Sequence, residues 1–184
     1  MPVKPDRWII EMAQHHRMIE PFAPEQIRSG ISFGVSSFGY DFRLADEFKV
    51  PDFSRITTLD PKQPSPDCWT DMRANVLDIP ANSYLLGRSL EYFRIPRNII
   101  TICPGKSTYA RSGLVVNVTP FEPEWEGFAT LSLSNTAPVP LRIYAGEGIA
   151  QLLFLEGSEP CTQSYKDKQG KYQSQQNITF SRSE

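Results

Sequence analysis

The spacing of apolar residues predicts one helix near the start of the chain and mostly strands after it. Four apolar residues recur at helical spacing: Trp8, Ile9, Met12 and Ala13. They predict a helix from Pro5 to His16, and a weaker helical pattern covers residues 24–28. Residues 31–50 follow the pattern strand, turn, strand, with the turn at residues 36–39.

From residue 74 to residue 155 the chain is a series of short β-prone runs separated by turn signals. The runs are 75–79, 84–89, 91–94, 99–103, 114–119, 129–135, 141–144 and 149–155. Regularly spaced short strands with turns between them are typical of an antiparallel sandwich or barrel. The proline-rich stretch 57–70 is predicted as loop. The polar tail from Gln163 is either a floppy end or a lid that orders on a ligand.

Length and charge fit one globular domain. A chain of 184 residues can bury a sizeable core. We therefore predict a single domain over residues 1–184, with an N-terminal helical segment in residues 1–30 and a flexible C-terminal lid in residues 163–184. The net charge of -2 predicts no broad affinity for nucleic acid. No apolar run is long enough to span a membrane.

The cysteines and histidines limit the chemistry. Three cysteines lie far apart along the chain: Cys68, Cys103 and Cys161. Their odd number predicts free thiols in a reducing cytoplasm, and no secretory signal segment opens the chain. A zinc deaminase needs a Pro-Cys-x-x-Cys element with a nearby His or Cys and Glu. The histidines are the adjacent residues His15 and His16, and adjacent side chains on a helix do not share a face. Neither a zinc site nor a P-loop or dinucleotide fingerprint is expected.

Cations and hydroxyls are concentrated between Lys106 and Arg111. If Ser107 to Arg111 forms a helical turn, the two end residues share a face. A guanidinium with a nearby hydroxyl and exposed backbone N–H groups then makes a phosphate cradle. The alternative is a surface turn with two solvated cations.

Two further groups carry weaker signals. Glu122 lies just before a strand and could hold a sugar hydroxyl or orient a water, or it is one member of an acidic loop. A group in the tail combines phenols, a cation and an amide: Tyr165, Lys171, Tyr172 and Gln175. These groups suit a tail that closes over a triphosphate, but a solvated tail is the alternative.

Eight segments in this order make the chain resemble the dCTP deaminase family, which is related to the trimeric dUTPases. The segments are MIEPF at 18–22, SSFGYDFRLADEF at 36–48, LDPK at 59–62, EYFRIPRN at 91–98, GKSTYARSG at 105–113, VNVTPFEPEWEG at 116–127, SNTAPVPLRIYAGEGIAQLLF at 134–154 and KYQSQQ at 171–176. The resemblance covers nearly the whole chain. It implies a mainly β fold, a distorted β-barrel or jelly roll of the dUTPase type. It also implies a homotrimer with active sites between subunits, Mg²⁺ bound through the nucleotide triphosphate, and deamination without zinc.

The resemblance also implies roles for individual residues. Ser107 and Arg111 would bind phosphate and position the attacking water, with Lys106 helping on the phosphates. Glu122 would lie at the sugar, where dUTPases carry an aspartate that activates water, and Gln151 would lie beside the nucleotide. The backbone of Val118, Thr119 and Pro120 would offer groups to the base. The side chains of Tyr165, Lys171 and Gln175 would close over the phosphates.

One position departs from the family pattern. The family reads T-L-E-F or T-L-E-I before S-N-T, whereas Ser132 replaces the glutamate here. That glutamate takes a proton from water and returns it to the leaving ammonia, and losing such a base typically costs a factor of roughly 10²–10⁴. Strand alternation places Ser132 on the opposite face from Leu131 and Leu133. Three interpretations are open: a deliberate substitution that traps a ligand, a natural variant that lost deamination, or a hydrolase of dUTP in which Glu122 holds the water.

The resemblance therefore predicts a dCTP deaminase-like protein of the cytoplasm, slowed by Ser132. Its reaction would convert dCTP to dUTP and ammonia in the synthesis of dUMP and dTTP. The alternatives are a dUTP pyrophosphatase, a bifunctional deaminase and pyrophosphatase, and a non-catalytic regulator that senses dTTP or dUTP. Its expected partners are dCTP, dUTP or dTTP and further copies of the chain.

Overall fold

The computed structural model describes residues 2–183, so the outermost residues of the predicted domain and lid lie outside it. The helices are α1 (Asp6–His16) and the single turn α2 (Ser107–Ala110). The strands are β1 (Ile19–Glu20), β2 (Gly34–Ser36), β3 (Gly39–Pro51), β4 (Trp69–Arg73), β5 (Val76–Ile79), β6 (Tyr84–Arg94), β7 (Ile99–Gly105), β8 (Leu114–Asn117), β9 (Glu126–Asn135), β10 (Leu141–Tyr144) and β11 (Gly148–Glu156). Neither helix within residues 2–183 has the length and apolar character needed to cross a bilayer.

Nine strands form one sheet that curls into a nearly closed barrel. Its order is β7-β11-β3-β6-β9-β8, with β1 added on β6, and β2 and β4 added on β3. β5 and β10 form a separate antiparallel pair. The long β3 makes the curl possible, because its first half pairs with β11 and its second half pairs with β6 and β4. The prediction of a mainly β, barrel-like fold with a short N-terminal helix is confirmed.

β6 and β9 form the central wall of the barrel and alternate strictly between buried and half-exposed residues. Their inward side chains include four that are buried: Leu85, Phe93, Leu131 and Leu133. Full burial of such a side chain contributes about 1.5–3 kcal/mol. The alternate residues of β9 face outward, and we call Thr130, Ser132 and Ser134 the β9 outer face.

The sequence pattern divided β6 into two runs, 84–89 and 91–94, but the structure has one strand. The β6–β9 register shifts between Arg88 and Tyr92, which interrupts the ladder. The buried Ser89 hydroxyl bridges this gap. It accepts the Ala129 N–H at 2.8 Å and donates to the Glu91 carbonyl at 2.7 Å. The apparent break in the sequence pattern is therefore a bulge within a continuous strand.

Two other predicted elements are wrong. Residues 24–28 are not helical, because Ile27 pairs with Phe33 through two backbone hydrogen bonds of 2.8 and 3.1 Å. That pairing satisfies backbone groups that a five-residue helix would leave without partners. The predicted loop 57–70 also ends early, since β4 begins at Trp69. Its mostly exposed residues give β4 no apolar alternation that would identify it.

A buried charged group ties β3 to β6. The Glu91 carboxylate accepts the Arg43 backbone N–H at 2.9 Å, the Arg43 Nε–H at 2.7 Å and the Tyr40 hydroxyl at 3.3 Å. Burial raises the pKa of Glu91, and the attraction of Arg43 opposes that rise. Breaking a buried pair by removing one partner is strongly destabilising, so this group is part of the framework of the barrel.

The three cysteines are free thiols, as predicted. Burial raises the pKa of Cys103 to about 11. Because the thiolate is the reactive form, we expect iodoacetamide at pH 8 to modify Cys103 more slowly than Cys68 and Cys161. Peptide mass spectrometry over time measures the three rates, and the difference should disappear in urea. Equal rates in the folded protein would contradict the buried environment of Cys103.

Candidate functional site

The predicted phosphate cradle forms a turn of helix at the end of β7. Gly105 adopts φ +87, a left-handed conformation that favours glycine, and α2 starts two residues later. Buried Tyr109 anchors the turn by accepting the Tyr144 N–H at 3.1 Å. Ser107 and Arg111 are exposed, and the Arg111 guanidinium donates to the Ser107 carbonyl at 3.0 Å. The two residues therefore lie on one face of the turn, as predicted.

Lys106 has a protein partner. Its ammonium lies 2.9 Å from the Asp41 carboxylate, and the two side chains are only 8% and 6% exposed. The Gln26 amide donates to the same carboxylate oxygen at 3.4 Å. This pair joins β3 to the turn that begins α2. A phosphate contact by Lys106 stays a prediction, and it would have to share the ammonium with Asp41.

Gln151 lies on β11, between β3 and β7. It is opposite Asp41 in the β11–β3 ladder and opposite Gly105 in the β11–β7 ladder. Its amide donates to the Ser36 hydroxyl at 3.0 Å. Gln151 is therefore adjacent to the start of α2. We call Lys106, Ser107, Arg111 and Gln151 the α2 group.

Ser132 lies on the outside of the barrel, as strand alternation predicted. Leu131 and Leu133 are 0% exposed, whereas Ser132 is half-buried on the opposite face. Its ladder neighbours are Leu86 on β6 and Asn117 on β8. Side chains directly opposite in such a ladder are about 4.5–5.5 Å apart at Cβ. A group bound over Ser132 would therefore also contact these two side chains.

The segment predicted to offer backbone groups to a base follows β8 directly. The β8–β9 ladder ends with Asn117 opposite Ser132. Val118, Thr119 and Pro120 lie beyond that pair, and Thr119 and Pro120 are exposed. The backbone of this segment is therefore outside the ladder and next to the β9 outer face.

Glu122 and Tyr165 come together at a second place. The Tyr165 N–H donates to the Pro123 carbonyl at 2.9 Å, which holds the tail beside the Glu122 loop. The Glu122 carboxylate is 44% exposed and lies 3.7 Å from the Lys168 ammonium. Burial raises the pKa of Tyr165, and the nearby Glu122 charge adds to the rise. The Tyr165 hydroxyl accepts the Tyr172 N–H at 3.0 Å.

The last part of the tail packs on β9. We call residues 170–183 the strap. The Gln175 amide donates to the Phe128 carbonyl at 2.8 Å and to the Thr130 hydroxyl at 2.6 Å. Gly127 allows this approach, because a Cβ at its φ of +147 would lie 2.8 Å from the Gln175 nitrogen. Gln175 is therefore buried against the strand that carries Ser132.

Lys171 lies at the start of the strap. Its side chain is exposed, with the ammonium 5.7 Å from the centre of the Tyr172 ring. Its carbonyl accepts the Arg182 guanidinium at 2.8 Å, and the Tyr172 hydroxyl accepts the Arg182 N–H at 3.1 Å. The two ends of the strap are thus joined, and the Lys171 ammonium stays open to solvent.

The structure brings the predicted residues into groups rather than into one cluster. Within residues 2–183, no hydrogen bond or ion pair joins the α2 group to Ser132, Glu122 or the strap. α2 precedes β8 at Leu114, whereas Ser132 is opposite Asn117 at the other end of β8. Three strand residues span roughly 10 Å. The end of α2 and Ser132 therefore lie next to opposite ends of β8.

The sequence reasoning missed two residues that contact the predicted ones. Asp41 pairs with Lys106, and its signal was a carboxylate in the otherwise apolar strand start GYDF. Thr130 holds Gln175, but a threonine in a strand gives no comparable signal. Within the described part of the chain, no three His, Cys, Asp or Glu side chains are grouped to hold a metal ion.

The fold and site define a β-barrel protein with an exposed hydroxyl and guanidinium on one turn of helix, and these donors suit an anion. Comparison with known proteins narrows this class. The pattern of the dCTP deaminase-like family matches residues 3–157, and the chain belongs to that family. It is 56% identical over 185 residues to a dCTP deaminase of Coxiella burnetii, with 98% of each chain covered. It is 57% identical to a dCTP deaminase of Acidithiobacillus ferrooxidans, again with 98% of each covered.

A solved structure shares the fold. The 2'-deoxycytidine 5'-triphosphate deaminase of Agrobacterium tumefaciens aligns with a TM-score of 0.64 and 14% sequence identity. The alignment covers 84% of this chain and 48% of that one, so this chain spans about half the length of the solved chain. At this identity the likeness supports the barrel fold alone.

Proposed function

We propose that this chain binds pyrimidine deoxynucleoside triphosphates and performs, at a reduced rate, the hydrolytic deamination of dCTP to dUTP and ammonia. The observation that carries the proposal is the full-length similarity to named dCTP deaminases, at 56% identity over 98% of the chain. In the cell this reaction would supply dUTP for the synthesis of dUMP and dTTP. The free cysteines support a reducing cytoplasm as its location.

The α2 group supplies the chemistry for a triphosphate. Ser107 and Arg111 are exposed on one face and offer O–H and N–H donors. Such donors suit phosphate oxygens, and Mg²⁺ would be held by the triphosphate rather than by these side chains. When bound, the ion would neutralise part of the phosphate charge. Ser107 and Arg111 would hold phosphate and position the water that attacks the base, with Lys106 and Gln151 beside them.

The outer face of β9 supplies the base site in this proposal. The backbone of residues 118–120 would donate and accept at the base edge, and Glu122 would hold the sugar. Tyr165, Lys171 and Gln175 would close over the phosphates. Ser132 would then lie where the water loses its proton. A serine hydroxyl has no pKa near neutrality, so the proton transfer lacks its base and the reaction is slow.

The separation of these groups within one chain supports a homotrimer with shared sites. A second copy could bring its own α2 group to the β9 outer face. Large apolar side chains remain exposed beside both regions, including Ile102 on β7 and Val115 on β8. Light scattering should therefore give the mass of three 20.9 kDa chains. The mass of one chain would contradict the shared site.

We expect Arg111→Ala to weaken binding of dCTP and dUTP. The substitution removes a charge-assisted contact worth about 1.5–3 kcal/mol, so Kd should rise by roughly 10- to 150-fold. Isothermal titration with Mg²⁺ present measures the change. Arg142→Ala is the matched control, because Arg142 on β10 pairs with Asp78 on β5, in the separate two-stranded sheet. Unchanged affinity in Arg111→Ala would make Arg111 an ordinary surface cation.

One assay separates the proposed function from its alternatives. The protein is incubated with dCTP or dUTP and Mg²⁺, and ammonia and pyrophosphate are measured. Slow ammonia release from dCTP supports deamination. Pyrophosphate from dUTP supports a pyrophosphatase in which Glu122 holds the water, and both products support a bifunctional enzyme. The non-catalytic regulator is supported by the loss of the catalytic glutamate at position 132. Binding of dTTP or dUTP without turnover would favour the regulator.

A further inference from the structure

We propose that Phe180 is a latch that positions the C-terminal strap on the β9 outer face. It does so by filling an aromatic seat that the strap shares with the proline-rich loop before β4. This inference rests on the proposed function in one respect, since it takes the strap to be the segment that closes over the nucleotide. Phe180 is a positioning residue in this role, because it acts through Gln175.

The seat is built from aromatic rings on two strands. The Phe180 ring centre lies 5.3 Å from that of Trp69 on β4, and Trp69 lies 5.8 Å from Tyr84 on β6. The Lys49 ammonium of β3 lies 5.1 Å from the Phe180 ring centre. Tilted aromatic pairs and a cation over a ring are both favourable contacts. Phe180 therefore has a specific apolar site on the barrel, unlike the exposed residues Ser181 to Ser183 that follow it.

The same ring lines a cavity of about 250 Å³ between the barrel and the loop. Ile56, Leu59 and Pro64 of the loop line one side, and Leu86 of β6 lines the other. The Ser183 hydroxyl also donates to the Lys62 carbonyl at 3.3 Å. The loop and the strap thus share an apolar contact at this cavity, and Leu86 connects that contact to Ser132, its ladder neighbour.

The Thr130 hydroxyl links the segment that carries Phe180 to Gln175. The Thr179 N–H donates to the Thr130 hydroxyl at 3.1 Å, and that hydroxyl also accepts the Gln175 amide at 2.6 Å. Ile178 is buried between them. Hydrogen bonds within the protein replace hydrogen bonds to water, so each adds only modestly to stability. Apolar contacts therefore strengthen the attachment of this segment. Loss of the Phe180 ring removes the larger of the two apolar side chains near the end of the strap.

The first measurement follows the strap without any nucleotide. Trypsin cleavage after Lys171 requires the strap to open, because Arg182 holds the Lys171 carbonyl at 2.8 Å. Phe180→Ala should raise the cleavage rate about tenfold, because it removes one aromatic contact and one cation–π contact that hold the strap closed. Phe180→Tyr should keep the parent rate. Phe38→Ala is the matched control, because Phe38 is an exposed phenylalanine in the β2–β3 turn.

The second measurement tests whether the latch positions the strap for nucleotide. Phe180→Ala should raise the Kd for dCTP with Mg²⁺ about tenfold, while the midpoint of thermal unfolding stays near that of the parent. In a Trp69→Leu background, Phe180→Ala should add little to either change, because the seat is already lost.

The outcomes separate the latch from the proposed function. An unchanged cleavage rate in Phe180→Ala overturns the latch. Faster cleavage with an unchanged Kd shows that Phe180 holds the strap but does not position it for nucleotide, which also overturns the proposal. If the parent binds no pyrimidine nucleotide, the proposed function fails, and the cleavage rates still decide whether Phe180 anchors the strap.

Discussion

Ser132→Glu is expected to raise ammonia release from dCTP by roughly 10²–10⁴-fold over the parent chain. The glutamate would supply a carboxylate that accepts a proton from the attacking water and returns it to the departing ammonia. Serine cannot perform either step near neutral pH. Ammonia production by the two proteins, measured with the same dCTP and Mg²⁺ concentrations, gives the ratio directly.

The position of Ser132 makes this substitution tolerable. Leu131 and Leu133 fill the core, whereas Ser132 is half-buried on the β9 outer face. A carboxylate there keeps access to water, so it avoids the large cost of burying an unpaired charge. Its ladder neighbour Asn117 is exposed and polar, and can donate hydrogen bonds to it. We therefore expect Ser132→Glu to fold with a stability close to that of the parent.

Two controls give the experiment its specificity. Ser132→Gln has nearly the same shape but no ionisable carboxyl, so it should give no increase. Ser134→Glu places the same group on the same face but about 7 Å further along the strand, so it should also give none. If Ser132→Glu folds and binds dCTP yet releases no ammonia, more than the base is missing. The regulator or the dUTP pyrophosphatase would then be the better interpretation.

Local sequence patterns were enough to predict most of the fold. α1 follows from apolar residues at helical spacing, and the inward and outward faces of β9 follow from strict alternation. The pattern failed where its signal was weak or interrupted. The exposed β4 has no alternation, and the bulge at Ser89 made one strand resemble two. Residues 24–28 had some helical character, but the pairing of Ile27 with Phe33 determined their structure.

The candidate site was predictable to the extent that it is local. Ser107 and Arg111 are four residues apart, so one turn of helix is sufficient to bring them together. The Lys106–Asp41 pair and the Gln175–Thr130 contact join residues 65 and 45 positions apart. No spacing rule predicts such contacts, because the packing of the whole barrel determines them. Sequence reasoning therefore found candidate site residues without finding the residues that contact them.

Mixed assemblies should release ammonia from dCTP faster than either parent assembly. One chain carries Arg111→Ala together with Ser132→Glu, so it has the base but lacks the guanidinium. The other is the unmodified chain, which has Arg111 but carries Ser132. Each alone should release ammonia at or below the rate of the unmodified chain. If a site takes Arg111 from one copy and residue 132 from another, random mixing completes about a quarter of the sites.

The expectation follows from the distances within one chain. Arg111 precedes β8, Ser132 is opposite the far end of β8, and the strand is roughly 10 Å long. Within residues 2–183, the Arg111 guanidinium donates to the Ser107 carbonyl, and no hydrogen bond joins it to Ser132. A guanidinium that orients water must lie within hydrogen-bonding reach of it. A second copy that provides one of the two groups would bring both to one water without rearrangement of the chain.

The measurement is ammonia release from dCTP after the two chains are unfolded and refolded together, with the mixed assembly verified by native mass spectrometry. A control mixture pairs Arg111→Ala/Ser132→Glu with Arg111→Ala. It contains no intact guanidinium and should stay inactive. Activity in the first mixture and not in the second would locate the site between copies. An inactive first mixture, with mixing verified and Ser132→Glu active by itself, would place both groups in one chain. The Arg111 side chain would then have to extend along β8 to reach the nucleotide over Ser132.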